Sequence, residues 1–287
     1  MNLVEERIKQ SFSPIELSTD LASIRALARR RRYVRAVSFT TSIVALALVV
    51  GIVVPALLPA GHEPSAAADT LRQLSEVAAK QPAVTVGPDQ YVYSKIQARW
   101  ETCEGNDCVL QQAVQELWIA PDGSGRMAGS RGSNSYSEVL GRGEFNSDDL
   151  TKVPTDVDAL RSFIRERASK ADQPLDYEMF VVVGDLLRES FSSPVLYESP
   201  QLRSALFEVA STLPGVELIG DTTDGIGRPG IAVGYTEGGI RHELIFDPDT
   251  SAILGDRDVS VRSGGTVPGS WSAYVESGVV SSTNAHP

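Results

Sequence analysis

The sequence predicts an α+β protein: an N-terminal transmembrane helix followed by an extracytoplasmic domain with an antiparallel sheet and three packed helices. Three observations carry this. A long apolar block lies near the N-terminus, net charge changes sign across it, and the remainder reads as strands, then helices, then strands. The last order is that of an α+β domain with helices on one face of its sheet.

Residues 1–35 hold eight basic side chains and four acidic ones, a net of +4, and 36–61 hold no Asp, Glu, Lys or Arg. Of the chain's 26 basic and 37 acidic residues, 18 and 33 lie beyond the block, a net of −15. The block itself is Ala36–Ala60, AVSFTTSIVALALVVGIVVPALLPA. As a helix its central ~22 residues reach about 33 Å, enough for a hydrocarbon core of about 30 Å. Arg29, Arg30, Arg31, Arg32 and Arg35 precede it, and only His62 and Glu63 follow closely. Positive charge stays inside, so the tail is cytoplasmic and the C-terminus lies outside. The block is longer than an ordinary signal-peptide core and follows 35 residues, so the sequence reads as an uncleaved anchor.

The same arginines bear on nucleic acid. Directly before a membrane span they are explained by orientation and by attraction to anionic lipid, about 1 kcal/mol per residue, so no nucleic-acid partner is expected. The tail (1–36) also holds apolar positions at helical spacing, Leu17, Leu21, Ile24 and Leu27. Helices that short are marginal alone and fold on a partner or on the bilayer surface. These four are the candidate contacts for a cytoplasmic regulatory protein.

After the span (37–59) comes a connector (60–88), in which Asp69–Lys80 puts Leu71, Leu74 and Ala78 on one face of a short helix. The main domain (89–281) opens with alternation over Gln90–Glu101, where Val92, Ile96, Ala98 and Trp100 face one way and Tyr91, Lys95, Gln97 and Arg99 the other. A CEGNDC turn leads into Val109–Ala120, and PDGSG into a short strand from Arg126. Residues 129–150, rich in Gly, Ser, Asp and Asn, read as a long loop. Three helices follow: Asp156–Lys170 capped by Thr155, Asp176–Glu189 apolar nearly all round, and one opened by Ser199-Pro200 and stopped by Pro214-Gly215. The end is β again, at Val216–Gly220, Gly230–Thr236, Ile240–Asp247, Ala252–Val261 and Trp271–Ser281, with 282–287 read as a disordered end.

Cys103 and Cys108 are the only cysteines. Flanking strands would bring their Cα atoms within about 7 Å, and outside the cell a structural disulfide is the expected product. Their spacing is not that of a CxxC redox pair. Other motifs are weak. Gly225–Gly230 matches G-x-G-x-x-G but runs into a strand, so it reads as a β-turn rather than a dinucleotide site. Asp247, Asp249, Asp256 and Asp258 fit no EF-hand spacing and read as a solvated turn rather than a calcium site. Ser130 lacks the glycine two before it that a nucleophile elbow needs, and His242 beside Glu243 reads as a structural strand histidine. The sequence therefore predicts no enzyme, no cofactor and no metal.

The stretches WIAPDGSGR (Trp118–Arg126), VGDLLRES (Val183–Ser190), LPGVELIGD (Leu213–Asp221) and RHELIFDPDTSAILGDR (Arg241–Arg257) resemble a family of actinobacterial single-pass membrane proteins of unknown function. The resemblance covers most of residues 68–287. It implies an extracytoplasmic domain of uncharacterised activity and a regulatory role, since such genes often lie beside an extracytoplasmic-function sigma factor. It supplies no catalytic residues. The His-x-x-x-Cys-x-x-Cys zinc motif of many anti-sigma factors is missing from this tail, which has neither Cys nor His. Two functions are therefore expected. The first is an envelope sensor or regulator that docks a ligand or partner outside and contacts a sigma-factor-like partner inside. The alternative is a passive binding module for lipid or cell-wall material.

Overall fold

The computed structural model describes residues 65–104, 107–145, 150–197 and 199–287, with backbone alone at 101–104 and 107–108. All lie in the second of two units into which the chain divides, His62–Pro287. The tail residues Leu17, Leu21, Ile24 and Leu27, the arginines Arg29–Arg35 and the apolar block lie outside the described residues. Among the described residues no helix is long and apolar enough to cross a membrane.

The connector helix α1 (Ala66–Ala79) begins where Ser65 Oγ accepts the Ala68 N–H at 3.2 Å. It buries Leu71, Leu74 and Ala78, the expected face, together with Ala67. Helix α2 (Val157–Ala168) is capped by Asp156, which accepts the Ala159 N–H at 3.0 Å, one residue later than expected. Helix α3 (Leu175–Ser192) is deeply buried, with Met179, Phe180, Val183, Leu186 and Leu187 each 2% exposed or less. Its hydrophobic circumference demands cover on most sides, and α2, α4 and the sheet supply it. Helix α4 (Pro200–Ser211) starts at a Ser199 cap with proline in its first turn. It meets α1 closely enough for Ser75 Oγ and Ser204 Oγ to lie 2.8 Å apart.

Nine strands form one antiparallel sheet: β1 (Tyr91–Glu104), β2 (Asp107–Ile119), β3 (Gly125–Arg131), β4 (Asn134–Leu140), β5 (Val216–Thr223), β6 (Pro229–Glu237), β7 (Ile240–Phe246), β8 (Ile253–Arg262) and β9 (Gly265–Val280). Their order is β4-β3-β2-β1-β9-β8-β7-β6-β5. The sheet is thus two meanders, β1–β4 and β5–β9, joined where the first strand pairs with the last, from Tyr91↔Val280 to Arg99↔Trp271. The helices cover one face. There Phe207 of α4 stands edge-on to Phe246 of β7 at 5.0 Å, and Phe191 of α3 to Tyr274 of β9 at 5.2 Å.

Two expectations are corrected. Among the described residues the segment 129–145 is not one long loop: it completes β3 and turns at Gly132 (φ 56°) into β4, and Leu150–Lys152 form a 3-10 turn. The end 282–287 follows a defined path over the sheet, held by side chains of β1–β3.

Candidate functional site

Helix α3 crosses the sheet with Asp185, Arg188 and Glu189 spaced three and four residues apart, hence on one side of the helix. Arg188 pairs with Asp185 one turn earlier and reaches Asp256 of β8 at 3.6 Å. Tyr274 of β9, 4% exposed, donates its hydroxyl to Asp256 Oδ2 at 2.6 Å. Along β8, two residues on and so on the same sheet face, Asp258 receives His242 Nδ1 of β7 at 2.5 Å. The ladder sets these two directly opposite one another. The Tyr177 ring of α3 lies 5.6 Å from the imidazole.

This seam holds its protons unusually. Burial drives the Glu189 carboxyl up to about 7, and the neighbouring Asp185 charge adds to it. Burial also raises Asp256, against the opposing pull of Arg188. For Arg188 burial acts downward, yet the carboxylates of Asp185 and Asp256 outweigh it and keep the guanidinium charged. For His242 burial again acts downward, and the hydrogen bond to Asp258 prevails, so its pKa is raised. The seam joins side chains of α3 to side chains of three strands, β7, β8 and β9.

Beside it, between α3, α4, β8 and β9, lies a cavity of about 80 Å³ bordered by Leu187, Ser190, Phe191, Arg203, Ile253 and Ser277. It has room for water rather than a drug-sized ligand, which needs about 300 Å³ or more.

The opposite face carries a second polar group. Glu243 is 1% exposed and sits between Arg241 and Arg257, each at 2.6 Å. Arg257 also donates to Thr222 Oγ1 at 2.9 Å and to the Thr223 carbonyl at 3.1 Å. Glu243 is therefore no companion of His242: adjacent strand residues point to opposite faces.

The motif at Gly225–Gly230 covers the turn after β5 and the first two residues of β6, without a helix. Asp224 organises it by accepting the N–H groups of Ile226 and Arg228 at 3.0 and 2.8 Å. Gly225 lies flat on Trp271, where a Cβ would come within 2.1 Å of the indole.

The four aspartates read as one turn separate into two sets. Asp247 accepts the N–H groups of Asp249 and Thr250 at 2.8 and 3.1 Å and shapes the β7–β8 turn. Asp256 and Asp258 belong to the seam, so the solvated reading fails for Asp256. Among the described residues no group of three or more His, Cys, Asp or Glu side chains could hold a metal. Ser130 lies within β3, opposite Ser135. Five strand steps separate β3 from β7, roughly 24 Å at about 4.8 Å each, too far for a Ser130–His242 pair.

Cys103 and Cys108 face each other across the β1–β2 ladder, one pair in from Glu104↔Asp107. Opposed residues on antiparallel strands have Cα atoms about 4.5–5.5 Å apart, within disulfide range. Their side chains lie outside those described.

No family model matches the chain, and no curated protein matches it.

Proposed function

We propose that the chain is a single-pass envelope protein. Its N-terminus is cytoplasmic, its outer domain docks an extracytoplasmic ligand or partner, and its basic tail contacts a cytoplasmic regulatory protein of the sigma-factor-like kind. The observation that carries this is the change from +4 to −15 across an uncharged apolar block. The arginines Arg29–Arg32 and Arg35 directly before the block orient the span, and the span links two segments able to recognise different things. The fold supports docking at the surface. The helix-covered face of the sheet is packed with Leu186, Leu187, Phe207 and Phe246, each 2% exposed or less, and the cavity beside them is only about 80 Å³. The alternative is a passive extracytoplasmic binding module for lipid or cell-wall material, with no signalling role.

The test has two arms. Protease added to intact cells should remove the outer domain and leave 1–35 protected; digestion of the tail from outside would sink the orientation. Leu21→Asp with Ile24→Asp removes two apolar anchors worth about 1.5–3 kcal/mol each and leaves insertion intact. Capture of a cytoplasmic partner should fall by orders of magnitude, and an unaltered set of co-purified proteins would count against signalling.

A further inference from the structure

On the face of the sheet away from the helices, Tyr93 of β1 and Trp118 of β2 are cross-strand partners with rings 5.2 Å apart. Both are buried, at 0% and 2% exposure. Their cover is the chain's own strap, Ser282–Pro287, which belongs to no strand or helix and is itself mostly exposed. The His286 ring stands edge-on to Tyr93 at 4.9 Å and to Trp118 at 5.7 Å. Pro287 lies over Gly278, where an added Cβ would meet it at 2.5 Å.

How the strap is held defines what else could lie there. Trp118 Nε1–H donates to the Ala285 carbonyl at 2.7 Å. Arg126 of β3, its guanidinium 5.1 Å from the Trp118 ring, donates to the Thr283 carbonyl at 3.3 Å and to Asn284 Oδ1 at 2.7 Å. Two of these three bonds read main-chain carbonyls two residues apart, which the strap presents around a β-turn closed by the Ala285 N–H donating to the Ser282 carbonyl at 3.2 Å. The third position is chemically selective. Glu116 accepts the Tyr93 hydroxyl at 2.7 Å, stands 3.9 Å from Lys95 Nζ, and lies 3.5 Å from His286 Nε2. A carboxylate beside two aromatic faces suits a cationic or N–H-bearing ring.

We infer that the Tyr93–Trp118–Arg126–Glu116 platform is a binding surface for a peptide carrying a β-turn like that of Ser282–Ala285, and that Ser282–Pro287 is its resident, exchangeable occupant. The incoming segment supplies two carbonyls in the register of Thr283 and Ala285, followed by a histidine-like residue in the acidic aromatic slot. This rests on reading the outer domain as a docking module and gives that reading a place. A tethered strap acts at an effective concentration on the order of millimolar, so a free competitor is held off until the strap is loosened.

The test uses the full chain in detergent, a chain lacking 282–287, and the synthetic heptapeptide Ser-Ser-Thr-Asn-Ala-His-Pro as probe. Deletion should red-shift tryptophan emission, and the peptide should reverse the shift saturably. Its apparent affinity should be at least tenfold higher for the deleted chain than for the intact one. Trp118→Phe in the deleted chain removes the indole donor and should weaken binding about tenfold. A folded deletion chain that binds no peptide up to millimolar concentration overturns the inference, as does equal binding by intact and deleted chains. Should the deletion chain not fold, the full-length Asn284→Ala, His286→Ala variant takes its place, and unchanged peptide binding there is the refuting result. Protease topology is scored separately, so correct orientation without peptide binding removes this inference alone.

Discussion

Replacing Arg188 by Met keeps an unbranched apolar stem in place and removes the one guanidinium that α3 sets between Asp185 and Asp256. The three side chains are 27%, 9% and 23% exposed. Breaking a fully buried ion pair costs roughly 3–5 kcal/mol because the surviving charge is stranded. Partial exposure reduces that to about 2–4 kcal/mol here, by the same argument applied to a solvent-screened pair. For a domain of this size each kcal/mol moves Tm by about 2–4 °C, so Tm should fall by about 4–16 °C. Urea unfolding followed by tryptophan fluorescence at pH 8 measures the loss directly. The signature of a stranded Asp256, whose pKa burial raises, is that the loss shrinks at pH 5, as that carboxylate takes up a proton instead. A double-mutant cycle with Asp256→Asn should return a coupling of about 1 kcal/mol or more. A loss below about 1 kcal/mol at pH 8, or an equal loss at both pH values, would refute the account of Arg188 as the counter-charge of the seam.

Glu189 and His242 both carry pKa values raised above their ordinary 4.5 and 6.5. Their contribution to stability is complete below those ordinary values and is lost as pH rises through the folded ones, near 7 for Glu189. Unfolding free energy should therefore rise as pH falls from 8 to 5, and Glu189→Gln should flatten part of that slope; an unchanged slope in the variant removes Glu189 as a cause. Gly225→Ala pushes a methyl to 2.1 Å from the Trp271 ring; overpacking of this kind costs about 1–3 kcal/mol, read by chemical denaturation, and a neutral result would mean the β5–β6 loop yields freely. Non-reducing mass spectrometry should find Cys103 joined to Cys108, with a gain on the order of 2 kcal/mol from so short a ring; free thiols that label readily in the native protein contradict it.

What could be read from the residues depended on whether their reason for being there was local. Ser199 announces α4 because its side chain meets an N–H three residues on, and Leu71, Leu74 and Ala78 announce α1 because helical periodicity is a short-range property. The β3–β4 hairpin is different. Strand β4 is a sheet edge with most of its residues exposed, Val139 at 81%, so it has no alternating apolar face to betray it, and pairing with β3 alone makes it a strand. The seam was illegible for another reason. Asp256 and Asp258 were visible as acidic residues near a turn, but their partners Arg188, Tyr274 and His242 come from three other elements. Glu243 misled because proximity in sequence along a strand means opposition in space. The strap has a composition of polar and small residues that promises nothing by itself; its anchors, Trp118 and Arg126, lie more than 150 positions earlier.

The pairing of β1 with β9 has a bearing on how the protein is made. Tyr91 meets Val280, 189 positions later. Each meander can assemble from local hairpins as it emerges, but the seam joining them waits for the last strand. At synthesis rates of about 5–20 residues per second, on the order of ten seconds pass between completion of β1 and arrival of β9. During that interval one side of β1 presents unpaired N–H and C=O groups along nine residues, the template on which strands of other copies can add. Closing contacts so distant in sequence is also the slow part of β-sheet folding. A chain cut short before Gly265 never closes the gap, and its open edge remains available to other copies.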